Sequence, residues 1–386
     1  WILTTVCAAF GDLMKACIDK CSPMHIMLYD DEFHPGNPLR PDGGRKTLGI
    51  YWVFLEWPSY LLSRAIAWLP FGYLQSSDLH SIEGGPSALR KRIMNIFFSQ
   101  NSFNFSTGTM IVVRGAGVMF RAVYGGNLGD EKGLKEVNDI KGQAGVKPCL
   151  RCKNVVRFRS THEGGYLVKL NCVDRSKLDA NSDADIWTMV DMLETASETI
   201  SPEDFAELQM NFGINFNPLG LLFDRRLRPY FKPASHYIGD WMHTLVSQGV
   251  AGTETAALLR LLISSKDERF QLDKLQRFAG IVHFPSSIGT VNSTLIDEKF
   301  IGHQNMKWFA GDTLAMVTIV DAFLQIVVKP TGLFPEHVEC YNLLAAILRA
   351  CKRGAQEVTP AMHRQHRSLV DRHQALFVQI YPEDMV

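Results

Sequence analysis

Three consecutive carboxylates, Asp30-Asp31-Glu32, close the apolar run Met24 to Tyr29. Adjacent like charges repel, and strand ends are where α/β folds gather ligand groups. A hard divalent cation, Mg²⁺ or Mn²⁺, relieves that repulsion through oxygen ligands. The competing reading is a solvated acidic turn ahead of the Pro- and Gly-rich stretch from His34 to Lys46. A second acid, Asp130, also stands where an apolar run gives way to a turn, in Gly129-Asp130-Glu131. Nineteen positions later, Cys149-Leu150-Arg151-Cys152 spaces two thiols so that one tetrahedral zinc can take both. That is half a zinc site, and free thiols or a redox pair satisfy the same spacing.

The third constellation is Asp240-Trp241-Met242-His243, at the head of an expected helix after Pro229 and Pro233. Residues three apart share a helix face, so Asp240 and His243 can complete a metal site or orient one another. An N-cap Asp beside a half-buried His is the plainer alternative. Around the thiols, the segment from Lys147 to Arg159 carries five basic residues and no acid. Such a strip suits phosphate contacts through Arg151, Lys153, Arg157 and Arg159, and it equally suits a charged, solvated edge strand.

These groups need elements to hold them. Residues 1–21 have helical spacing, and Met24 to Tyr29 reads as a short buried strand ending at the acids. Leu48 to Leu55 is rich in β-formers and near enough to pair with it, and Ile66 to Leu74 is a candidate third strand. Ser87 to Phe98 has helical spacing with Arg90-Lys91-Arg92 assigned to the wet side. Met110 to Val113 and Val118 to Tyr124 read as a strand pair. From Asp183 onward the pattern is helical, with expected helices at 185–194, 201–210, 242–248, 254–264, 313–328, 338–352 and 360–380. Ser201-Pro202 is a good cap and first-position pair. Strands early and helices late predict an α/β sheet carrying a large helical addition.

The 386 residues hold 40 Lys+Arg and 40 Asp+Glu, so a generally basic DNA-gripping surface is excluded and phosphate binding must be local. The eight cysteines lack the density of a secreted disulfide scaffold, which favours a reduced intracellular setting. The chain opens at Trp1 with no visible signal peptide and reads as a fragment. The apolar stretches 50–74 and 313–328 are each interrupted by charge or proline, and no membrane span is expected.

Taken in order, these blocks resemble the catalytic region of DDE/D-type eukaryotic cut-and-paste DNA transposases, nearest the CACTA-like group. Leu28-Tyr29-Asp30-Asp31 with Asn37-Pro38-Leu39 is similar to that family's first block. Gly129-Asp130 with Leu134-Lys135 and Cys149/Cys152 resembles the second, and Asp240 to His243 with Gly249-Val250 resembles the third. The resemblance spans roughly residues 24–330. It implies an RNase H-like mixed sheet with a mainly helical insertion. The core strands would occupy 24–160 after a lead-in at 1–23, the insertion 161–300, and the completing helices 301–386. It further implies two Mg²⁺ or Mn²⁺ ions roughly 3.5–4 Å apart at a scissile phosphate, held by Asp31, Asp130 and a third acid. The family has Glu near the start of the helix after the insertion, where this chain has Asp312, one methylene shorter and itself a common N-cap type. Cys149, Cys152, His243 and Asp240 would form a structural Zn²⁺ clasp. DNA would be the partner, also through Arg225, Arg226 and Arg228, in a nuclear or other intracellular setting. Homo-oligomer formation is left open, and no small-molecule substrate is expected. The alternative is a catalytically inactive, transposon-derived DNA- or protein-binding module with the zinc site kept.

Overall fold

The run that begins at Met24 becomes the centre of a mixed sheet in the computed structural model. The structure describes residues 2–20, 22–33, 35, 46–79, 81–101, 103–162, 165–172, 174–247, 249–282, 296–297, 306, 308–352 and 358–381. Most of the loop from His34 to Lys46, including Asn37-Pro38-Leu39, lies outside them.

Helix α1 (Ile2–Lys20) leads into β1 (Met24–Phe33), whose Met24, Ile26, Met27 and Leu28 are buried. β1 pairs antiparallel with β2 (Thr47–Phe54), and β2 pairs antiparallel with β3 (Leu69–Gln75). The strand does not stop at the acids, contrary to the sequence expectation. β2 keeps offering ladder partners, Gly49 to Asp31, Leu48 to Glu32 and Thr47 to Phe33. Glu32 is tolerated there because Lys46 pairs with it and Ser76 Oγ donates to it at 2.8 Å. Burial opposes its ionisation, but these bonds outweigh that and leave its pKa lowered.

After α2 (Gly85–Phe98), the hairpin of β4 (Thr109–Val113) and β5 (Ala116–Phe120) stands as its own two-stranded sheet. The expected single strand Val118 to Tyr124 therefore divides. Its second half belongs to β6 (Ala122–Gly129), which runs parallel to β1 in the main sheet. Gly126 shows why the glycines lie inside this strand. Its φ is +143°, and a Cβ there would meet Ile238 Cδ1 at 2.7 Å and the His236 carbonyl at 3.1 Å.

Helix α3 (Glu131–Val137) follows at once, then a hairpin of β7 (Arg157–His162) and β8 (Gly165–Leu170). α4 (Asp183–Thr199) starts on a Ser182 capping box, and α5 (Pro202–Phe212) starts on Ser201 with Pro202 in its first turn, as its sequence reads. β9 (Tyr237–Gly239) pairs parallel with β6 and completes the order β3-β2-β1-β6-β9.

The chain divides into two compact units. The first holds residues 1–158 and 178–239, and the second 159–177 and 240–386. The first contains the five-stranded sheet and a core that includes Leu28, Trp52, Phe54, Phe98 and Tyr124. The second is helical apart from its share of the β7–β8 hairpin. It contains α6 (Val250–Ser264), α7 (Leu272–Ile281), α8 (Ala310–Phe323), α9 (Pro335–Lys352) and α10 (Pro360–Ile380) around Met316, Val320, Phe323, Tyr341 and Leu344. The run Ala310–Thr331 is long and apolar enough to cross a membrane by length and composition, with half of its most apolar window buried. Its Ile319, Val320, Phe323 and Leu324 belong to the second unit's core.

Candidate functional site

Acids at neighbouring strand ends define the candidate site of the first unit. The last recorded pairs of the parallel ladder are Leu28 with Asn127 and Tyr29 with Leu128. Beyond that rung β6 ends at Gly129 and Asp130 is already the N-cap of α3, while β1 carries Asp31 on opposite Gly49 of β2. Successive strand residues alternate faces, so Asp30 and Asp31 take opposite sides of the sheet.

Asp31 is exposed, and the Tyr51 phenol lies near it. Burial raises the Tyr51 pKa, and the neighbouring Tyr73 and Asp31 push the same way. The Tyr51 ring covers Gly49, the ladder partner of Asp31, where a Cβ would meet the phenol oxygen at 2.6 Å. Asp130 is half-buried and is the N-cap of α3, accepting the Gly133 N–H at 2.6 Å through Oδ1. On β9, Tyr237 is near the same place: burial raises its pKa, and the charges of Cys149, Glu131 and Asp130 add to the effect.

On the opposite face Asp30 pairs with Arg90 of α2, whose side chain is only 2% exposed. The expectation that Arg90 faces water is overturned. One turn along α2 from Ser87 and Ile93, it lies on the buried stripe with Met94 and Phe97, and the Asp30 carboxylate supplies the countercharge. Asp30 Oδ1, Arg90 Nη1 and the Tyr124 hydroxyl are buried there without hydrogen-bond partners.

Cys149 and Cys152 are half-buried thiols of the first unit, outside any disulfide. Cys149 Sγ accepts the Arg151 N–H at 3.4 Å, and Cys152 forms an isolated bridge with Ala180. In the basic strip, Arg151 is exposed and Arg157 half-buried, while Lys153 is committed to Asp185 at 2.9 Å. The Arg159 side chain lies outside the described residues. Arg225, Arg226 and Arg228 all face acids: Arg225 binds Glu194 at 2.6 Å, Arg226 binds Asp224 at 2.7 Å and Arg228 binds Asp191 at 2.6 Å. Arg228 also stacks on Trp187 at 4.8 Å. Their charge is internally spent, which the sequence does not reveal because the acids are 31 or more positions away for two of them.

The remaining expected ligands belong to the second unit. His243 Nδ1 lies 2.6 Å from Asp240 Oδ2, and the Met242 N–H donates to Asp240 Oδ1 at 2.8 Å. The carboxylate thereby fixes the orientation of the imidazole ring. The expected helix over 242–248 is a single π turn, Met242–Val246. Asp312 is the third residue of α8, whose N-cap position is Phe309, so it is not the N-cap residue.

One buried carboxylate carries no signal in the sequence. Asp139 has positive φ, +52°, and accepts hydrogen bonds from Ser87 Oγ and from Asn217 Nδ2, the latter at 2.9 Å. Burial pushes its pKa up to about 7 against the opposing pull of those donors. Asp139 thereby ties the start of α2 to the 214–221 loop, joining segments 52 and 78 positions away in sequence.

No protein-family model and no curated protein matches the chain.

Proposed function

We propose that the first unit is the RNase H-like nucleotidyl-transfer core of a DDE-type DNA transposase of the CACTA-like kind, in which Asp31 and Asp130 hold the catalytic Mg²⁺ or Mn²⁺. The observation that carries this reading is the parallel pairing of β1 and β6: two positions past its last rung, Tyr29 with Leu128, each segment carries an acid, the two standing 99 positions apart in the chain. Their donor set fits the ion. Both are carboxylates, as hard cations prefer. Asp31 is exposed, and Asp130 Oδ2 accepts no hydrogen bond from the described residues while Oδ1 is held by Gly133. When bound, such an ion polarises a phosphoryl oxygen and lowers the pKa of an attacking hydroxyl.

The chain's own contribution is positioning. The β2 ladder fixes the Asp31 backbone opposite Gly49, and the α3 cap fixes the Asp130 carboxylate. The exposed Arg151 and the half-buried Arg157 contact DNA phosphates, giving binding that falls with salt. DNA as substrate fits a nuclear or other intracellular setting.

A second reading, a non-catalytic DNA- or protein-binding module, is favoured by one observation: Asp130 has a complete structural role as a helix cap. The two readings separate on DNA incubated with Mg²⁺ or Mn²⁺. The enzyme nicks it and stops doing so in Asp31→Ala, whereas the module binds it in a salt-dependent way and leaves it intact.

A further inference from the structure

In the second unit, three side chains that the transposase reading does not use converge beneath the surface. Glu254 of α6, Cys340 of α9 and His373 of α10 place a carboxylate oxygen, Sγ and a ring nitrogen all within 4.8 Å of one another. All three residues are buried, with Glu254 fully so. Glu254 Oε2 lies 2.6 Å from His373 Nε2, and the Cys340 thiol lies against the Glu254 carboxylate with a long 3.9 Å contact to the His373 carbonyl. Glu254 Oε1 is buried and accepts no hydrogen bond.

A core of this kind is costly as it stands. A buried carboxylate with one oxygen unpaired loses several kcal/mol of hydration that an imidazole and a weak thiol donor do not replace. The donor types are also a chemical set: thiolate, imidazole and carboxylate together suit zinc, while Mg²⁺ and Ca²⁺ take oxygen ligands alone.

We infer that Glu254, Cys340 and His373 form a structural Zn²⁺ site within the second unit, with Glu254 Oε1 or a water completing the tetrahedron. The fit needs only a local adjustment. Two zinc ligands at about 2.0–2.1 Å in tetrahedral array stand roughly 3.3 Å apart, so the Glu254–His373 contact opens by a fraction of an ångström. Binding releases the Cys340 thiol proton and the proton shared between Nε2 and Oε2 to solvent, leaving thiolate, neutral imidazole and carboxylate on the ion. The ion would staple α6, α9 and α10, adding to the Thr255–Tyr341 hydrogen bond between α6 and α9 at 2.8 Å and the Arg372–Glu339 ion pair between α10 and α9 at 2.9 Å. The site is independent of the transposase reading and of the Cys149/Cys152 pair.

The test uses the full chain carrying Cys149→Ser and Cys152→Ser, stripped of metal and titrated with Co²⁺ as the optical probe. The expected result is about one Co²⁺ per chain, with a thiolate-to-cobalt charge-transfer band that Zn²⁺ abolishes. Adding Cys340→Ser removes the band, and Cys351→Ser leaves it intact. A chain that takes up no Co²⁺, that binds it without the band, or that keeps the band after Cys340→Ser overturns the assignment. Should Cys340→Ser not fold, X-ray absorption of the zinc-loaded Cys149→Ser/Cys152→Ser chain decides: a sulfur ligand beside nitrogen and oxygen supports the site, and a shell without sulfur overturns it.

Discussion

Asp130 carries two claims at once, and side-chain chemistry separates them. As the N-cap of α3 it accepts the Gly133 N–H. Ser caps about as well as Asp but is a far poorer Mg²⁺ ligand. Asp130→Ala is therefore expected to lose about 1 kcal/mol of stability, and Asp130→Ser almost none; urea unfolding of the two variants reads the difference. The buried Arg90–Asp30 pair predicts a different pattern. Removing either partner strands the other charge and costs about 3–5 kcal/mol, whereas Arg90→Met combined with Asp30→Leu restores much of the loss. A double-mutant cycle in urea shows whether the two are coupled in this way. Asp139 gives a pH dependence of definite sign. Its pKa in the folded chain, about 7, lies above the ordinary 3.8, so the native state holds a proton that the unfolded chain has released. Its stabilising contribution is complete below about pH 4 and is lost as pH rises through 7. The unfolding free energy of the native chain relative to Asp139→Asn should fall between about pH 4 and 8, and a flat difference would contradict this.

The central strands depend on a close approach that only glycine allows. With φ of +143° and Ile238 Cδ1 2.7 Å from where a Cβ would sit, Gly126→Ala should push β9 off β6 and cost more than about 1 kcal/mol. Hydrogen exchange localises the effect if the amides of Asn127 and Gly239 lose protection together. This is also where the sequence was hardest to read. A glycine pair after Tyr124 looks like a turn, and only the neighbouring strands show that it lies within β6. Strong local signals were legible: β2, α2, the Ser201-Pro202 start of α5 and the 360–380 helix all follow from period, caps and β-formers. β1 was read too short because its outer half is polar and owes its extension to ladder partners in β2. β9 is three residues long and has no pattern of its own. Arg90 was misplaced because its charge, taken alone, argues for water, while its countercharge is 60 positions away.

Across the whole molecule, charge and chemistry are unevenly shared. Formal neutrality conceals a first unit whose arginines at 225, 226 and 228 are absorbed by acids, which leaves Arg151 and Arg157 as the cations of the expected interface with the least commitment. The candidate acids were legible individually, as carboxylates at apolar-run ends. That both follow one parallel ladder was not, since nothing in a linear chain states which strands run side by side. The Glu254, Cys340 and His373 cluster was invisible for the same reason, its members standing on three separate helices. The most direct measurement is nicking of supercoiled DNA by the full chain in Mg²⁺ or Mn²⁺, compared with Asp31→Ala and with the cap-preserving Asp130→Ser. Metal-dependent nicking that drops at least about a hundredfold in both folded variants is the expected result. Nicking that persists undiminished in either variant, or a wild-type chain that never cuts DNA with any divalent ion, would contradict the account.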